Sequence, residues 1–426
     1  MRGIAVLTLA CLAIAGCIGS PSSPLTANDA PTPPSLDTIA ALLADVPCEV
    51  DVVGPETTAN LLGLADLDLT GASGSHGEID IHDHWLISAR LGDSGFDILD
   101  IADPLHPVVV GNYSQSPSHS YDVKWTTDGQ SALVGHRAGI VVVDMRDPLH
   151  PVNESAWEFP KPAPLLFGNT ENAHMLYATN VDGREIVLLA PNTNTGVWIL
   201  ELTGAPGARE LKLLSKFGEN INGPLGPHDM WATFDEDLQV PVLYVANGFA
   251  GWLAADLSDP AKPVMLGGAL PMLDPYQGYT HTIQAAKVGD RRLVVTIAEV
   301  GLNALKVYDA TNLRAPILLG TWTSKPVPIG PEHNLQIVGD QLFVAHYREG
   351  MYAFNLSAVA PLPTPAGIAP IAHFAVGPDP QLGLNFGDVW DVVVKDGLIY
   401  LSEIDFGVHV VGFGCMQPAP GLSSTG

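Results

Sequence analysis

The sequence predicts an all-β chain: a seven-bladed β-propeller of four-stranded antiparallel blades. Three observations lead there. First, one motif recurs: a glycine, a β-branched run ending in Asp or another polar residue, a Pro-containing turn, then a second apolar run. It reads Gly95-FDILD-IADPLHPVVVG, Gly139-IVVVD-MRDPLHPV and Gly251-WLAAD-LSDPAKPVMLG, with looser copies at Gly196-VWILE, Ala304-LKVYD, Gly350-MYAFN and Gly407-VHVVG. Short apolar runs split by Asp-Pro turns are antiparallel strands rather than helices. Second, two further strands fit between copies, as in YDVKW then SALVG, so each unit holds four strands in about 45–57 residues, the size of a propeller blade. Third, 43 Gly and 36 Pro among 426 residues suit many turns and few long helices.

In chain order, Met1-Arg2 precedes an apolar run from Ile4 to Ala15 that ends Ile14-Ala15-Gly16-Cys17. One basic residue, a short apolar run and small residues before the cut make a secretory signal, and the run is shorter than the about 20 residues a bilayer span needs. The ending resembles the bacterial and archaeal lipoprotein signal. That resemblance implies removal of residues 1–16 and lipidation of Cys17 as the mature N-terminus; plain secretion with an incidental cysteine is the alternative. Residues 17–36 are rich in Pro, Ser and Thr and read as a flexible tether. Residues 37–46 suit one short helix behind Asp37. The propeller is expected over 37–418, followed by a disordered tail at 419–426. The chain is thus expected to be exported, lipid-anchored in the cell envelope at the outer membrane or cell surface, and monomeric.

The blade segments, such as YDVKW…ALVGHRAGIVVVDMRDPLHPV, resemble the LVIVD repeat of bacterial and archaeal surface proteins, which is associated with a β-propeller. The resemblance is closest over 76–157 and 228–323 and looser for the copies near 174, 333 and 390. It implies fold and hardly touches function, because propellers host unrelated activities.

The last copy, Gly407–Gly414, supplies a third strand with no fourth after it. Upstream, Asn60-Leu-Leu-Gly63 matches Ile317-Leu-Leu-Gly320, and each glycine lies 13 residues before a histidine, His76 and His333. Residues about 59–66 are therefore expected to be the outer strand of the seventh blade, an N-terminal closure of the ring. Cys48 and Cys415 flank that junction, and with Cys11 in the signal and Cys17 lipidated they are the two thiols left. An oxidising envelope permits a disulfide between them, worth about 4–5 kcal/mol for so long a loop; two buried free thiols are the alternative.

Aligning the blades puts His76, His174, His228, His281 and His333 at the start of the innermost strand. Tyr121, with His119 two residues earlier, takes that place in the second blade, and Trp390, with Asp388 two residues earlier, in the seventh. A second set, His136, Asn247, Glu299, His346 and Glu403, ends the next strand. Strand one starts where antiparallel strand two ends, so both sets are expected at one mouth of the central channel. Clustered imidazoles with carboxylates behind them suit a transition metal such as Fe, Cu or Zn, the acids orienting the ring N–H groups. The stretch Gly226-Pro-His-Asp-Met-Trp…Leu-Tyr-Val-Ala-Asn247 is similar to a segment of the selenium-binding protein/methanethiol oxidase family, whose propellers carry His-ligated metals.

Three readings follow: a small molecule or protein partner bound at the mouth, a metal-dependent envelope enzyme such as an oxidoreductase, and a structural scaffold. Blades arise by duplication, so matching histidines are not independent events. His106 and His150 sit in Asp-Pro-Leu-His-Pro turns and are expected to face solvent, while His84, His373 and His409 are expected to be structural or exposed. No catalytic residue is named: the sequence holds no HExxH, GxSxG, P-loop, GxGxxG or paired CxxC. With 46 Asp+Glu against 19 Lys+Arg, a net charge of −27 argues against nucleic acid and against electrostatic docking on anionic lipid, leaving the lipid anchor as the membrane contact.

Overall fold

The computed structural model describes residues 36–52, 56–69, 75–91, 95–114, 120–160, 172–191, 193, 195–219, 221, 226–270, 278–300, 305–324, 332–359, 366–376 and 388–416. The expected signal, Cys17, the expected tether up to residue 35, His119, the side chain of Tyr121 and the expected tail lie outside these residues.

Seven antiparallel sheets follow one another. The first six start at His76–His82, Ser120–Trp125, Met175–Val181, Asp229–Asp235, Tyr279–Val288 and Glu332–Val338. The seventh starts at Val389–Lys395 and has Leu61–Asp68 as its outermost strand, paired antiparallel with Gly407–Phe413 from Leu61↔Phe413 to Asp68↔Gly407. The seven innermost strands contact one another in a closed cycle, first to second and on to seventh and back to first, so they line a common channel. Blade five gains a short parallel strand, Ala366–Gly367, on its outer edge.

Each sheet packs on both faces, which is why the third strands read as continuous apolar runs; Gly139–Asp144, for example, is buried through Val143. Seven apolar clusters form, one per blade junction. Ile87, Phe96 and Ile98 of blade one meet Val123 and Trp125 of blade two, and Val242 and Trp252 of blade four meet Ile283 and Val294 of blade five. At the seventh-to-first junction the helix Leu36–Leu43 adds Ile39 and Leu43, both fully buried, to Leu86, Leu99 and Val410. The outer strands face solvent on one side, so Val152–Glu158 is mixed polar and apolar.

The repeat glycine has a steric cause. Gly95 and Gly350 open their third strands at φ +111° and +96°, and a Cβ on either would lie 1.9 Å from the carbonyl oxygen of Tyr113 or Phe374 on the fourth strand. The Asp-Pro turns are closed by their own aspartates: Asp103 accepts from Leu105 N–H at 3.0 Å and faces the His106 ring at 2.9 Å, and Asp147 repeats this with Leu149 and His150. Both histidines are exposed, as expected. Cys48 and Cys415 form a disulfide.

Candidate functional site

His174, His228, His281 and His333 come together at one end of the channel. The Nε2 atoms of His174 and His228 lie 2.8 Å apart, one donating to the other. The His228 and His281 rings are 3.9 Å apart between centroids, His281 and His333 4.3 Å, and Trp390 continues the arc 4.1 Å from His333. With Leu91, Arg137 and Met175 these five rings line a cavity of about 390 Å³.

The backbone explains their aim. His281 falls at a register shift between Thr280 and Thr282, Trp390 at one between Val389 and Asp391, and His333 within one from Glu332 to Leu335. An extra residue in one strand of a pair is turned out of the alternating pattern, which points these side chains along the channel instead of into a blade junction. His174 and His228 sit one residue ahead of their strands and donate their backbone N–H to Ala190 and Ala246.

Their other ring edges are held by neighbouring blades. His281 Nδ1 lies 3.1 Å from the His333 carbonyl and 2.8 Å from Thr282 Oγ1, and His333 Nδ1 lies 2.9 Å from the Trp390 carbonyl. A carbonyl only accepts, so Nδ1 carries the hydrogen and Nε2 keeps its lone pair. Burial holds all four imidazoles uncharged: it drives His174 down to about 4 and His281 to about 3, and, with neighbouring imidazoles adding repulsion, takes His228 and His333 well below the usual range.

Of the second set, Glu299 reaches these rings. Blade five has the longest inner strand pair, Tyr279–Val288 with Arg291–Val300, and Glu299 lies between the paired Ala298 and Val300. Its Oε2 is 3.8 Å from His281 Nε2, and its Oε1 accepts from the Tyr347 hydroxyl at 3.1 Å. Ligand atoms of His281, Glu299 and His333 all lie within 4.8 Å of one another.

The other expected mouth residues go elsewhere. His76 is one register position out: it pairs with Arg90 as Glu332 pairs with His346 and Val389 with Glu403, so Gly77 is the counterpart of His333. A one-residue slip puts the side chain on the opposite face. His76 is accordingly buried within its own blade, 3.3 Å from Ser88 Oγ and 3.9 Å from Asp97, while Leu91 covers Gly77. His136 accepts from Ala138 N–H in its own turn. His346 contacts Ser324 Oγ at 2.8 Å, with Trp322 and Tyr352 around its ring. Asn247 is buried behind Gly226. Asp388 lies 4.0 Å from Arg348.

Glu403 turns away from the arc to His409, which it meets at 2.8 Å, and Asp66 meets the other ring nitrogen at 2.7 Å. Burial disfavours a charged His409, but these two carboxylates outweigh it and raise its pKa to about 9.

Behind the mouth lies a polar channel that the sequence reading missed. Its signal was present: the residue after each mouth position is Glu78, Asp122, Asp229, Thr282, Asn334 or Asp391, with Met175 the exception. All of these but Asp122 line a cavity of about 300 Å³ with Asp80 and Lys124. Glu78 accepts from Asn334 at 2.8 Å and from Trp390 Nε1 at 3.0 Å, while Lys124 Nζ sits 3.2 Å from Asp122. Desolvation raises Asp122 to about 6 and Asp229 to about 7. Burial opposes the Lys124 charge, yet the surrounding carboxylates, Asp122 foremost, hold its pKa above the usual range. Several of these acids brace neighbouring blades: Asp80, Asp122 and Asp391 accept from the backbone N–H of Trp125, Leu176 and Ile79.

Residues 91–115 match the LVIVD repeat family model. No curated protein matches the chain. Among solved structures, Saccharomyces cerevisiae Sqt1 is 12% identical with a TM-score of 0.52, the match covering 84% of this chain and 99% of that one. The C-terminal WD40 domain of Sif2 is 13% identical with a TM-score of 0.51, covering 83% and 98%. At such identity the likeness concerns fold alone. The chain is a seven-bladed β-propeller that carries an LVIVD repeat.

Proposed function

We propose that this is an exported propeller, tethered to the cell envelope through a lipid on Cys17, whose working surface is the histidine-lined mouth, a binding site for a small ligand. One observation supports it most: four uncharged imidazoles share one cavity of about 390 Å³. Their Nδ1 edges can brace adjacent blades, as those of His281 and His333 do, but bracing uses only one side of each ring. The Nε2 sides of His281 and His333 offer lone pairs to a ligand inside a low-dielectric pocket, where such contacts are strong.

Native mass spectrometry of the mature protein, extracted from membranes, tests this. The expected result is a co-purifying or saturably bound small species. His228→Phe, which fills the cavity, should abolish it, and His106→Ala in an exposed turn should leave it unchanged. A wild-type protein that binds nothing across a panel of ions and small organic compounds overturns the proposal.

A further inference from the structure

Building on the mouth as a binding site, we propose that it holds a divalent transition-metal ion ligated by His281 Nε2, His333 Nε2 and the Glu299 carboxylate, with His228 alongside. One ring nitrogen of each histidine and a Glu299 carboxylate oxygen already lie within 4.8 Å of one another, and His281 Nε2 is 3.8 Å from Glu299 Oε2. A first-row ion with bonds of about 2.1 Å holds its ligand atoms about 3–4.2 Å apart, so small side-chain shifts complete the site. The rings are also set in the required tautomer. Both Nδ1 atoms face backbone carbonyls, 3.1 Å away for His281 and 2.9 Å for His333, which leaves each Nε2 unprotonated.

The carboxylate is oriented in the same way. The Tyr347 hydroxyl donates to Glu299 Oε1, and Oε2 then faces His281 Nε2 at 3.8 Å. Two acceptors turned toward each other over that distance are mutually repulsive and become attractive with a cation between them. Two imidazoles and one carboxylate select Zn, Fe or Cu over Mg or Ca, which take all-oxygen sets. The cavity runs from His281 and His333 to His174, Leu91 and Arg137, so the ion keeps room for water or a small anion.

The test is titration of the chelator-stripped mature protein with Co(II) and Zn(II), followed by calorimetry and by visible Co(II) absorption. One ion per chain is expected, with affinity reduced at least about tenfold in His333→Ala and in Glu299→Gln. Glu299 is partly exposed, so that isosteric change spares the fold. Tyr347→Phe, which removes only the bond orienting Glu299, should weaken binding by about tenfold. Absence of saturable ion binding, or binding indifferent to both Glu299→Gln and His333→Ala, overturns the metal assignment. An organic ligand taken up by the ion-free protein, with no ion bound, overturns the metal and leaves the binding mouth standing; a mouth that takes neither removes both.

Discussion

His409 is the clearest titrating residue outside the mouth. Its ring bridges Asp66 and Glu403 at 2.7 and 2.8 Å and stacks on Phe406 at 5.1 Å. A folded pKa of about 9 lies above the ordinary imidazole value, so the charged ring stabilises the fold fully below about pH 6.5 and that contribution fades as pH rises toward 9. Stability should fall by of order 2 kcal/mol across that interval, and Asp66→Asn should shrink the fall. Urea unfolding at a series of pH values measures it; equal slopes in wild type and Asp66→Asn would show that the bridge does not form. Glu403 and His409 also show where reading residues from sequence stops. Spacing assigned Glu403 to the mouth, but His409, six positions on and held from its other side by Asp66 343 positions away, claims it instead, and no local pattern encodes the Asp66 contact.

At the scale of strands, the repeat glycine and the inner-strand register shifts divide the work. The glycine answers to the fourth strand: Gly95→Ala puts a methyl group where the Tyr113 carbonyl stands, at a positive φ, and should cost about 3 kcal/mol. Gly367→Ala, with open space around its Cβ, should stay within about 0.5 kcal/mol. Denaturation midpoints of the two variants compare them, and an unchanged Gly95→Ala midpoint would mean the fourth strand simply moves aside. The blades were legible because glycine and the alternating runs are local. The register shifts were not, since one extra residue leaves composition and spacing almost unchanged. That is why His281 and His333 were placed correctly while His76 was set one position off, onto the wrong face.

For the whole molecule, the Cys48–Cys415 disulfide joins residues 367 positions apart beside the sheet that combines the two ends of the described chain. Cys415→Ser should lower stability by about 2–5 kcal/mol, read as a reduced melting temperature, and a reductant should do the same to wild type but nothing to the variant. If the lipid on Cys17 tethers the protein, Cys17→Ser should move it from the membrane to the soluble fraction; retention in the membrane would sink the anchor. By itself the sequence determined the blade count and the strand order within a blade and set four histidines at one strand end, because each follows from a periodicity that duplication repeats; it pointed to the cysteine pair by elimination. Only the tertiary structure decided which polar residues meet. Glu299 reaches His281 through a bulge, Glu403 leaves for His409, and a buried carboxylate channel lies behind the arc. Glu299 and His281 are 18 positions apart and Glu403 and His409 six, each pair within one blade, whereas Glu78 and Asn334 meet across 256; in each case the partner is chosen by register and burial, and neither leaves a local mark in the chain.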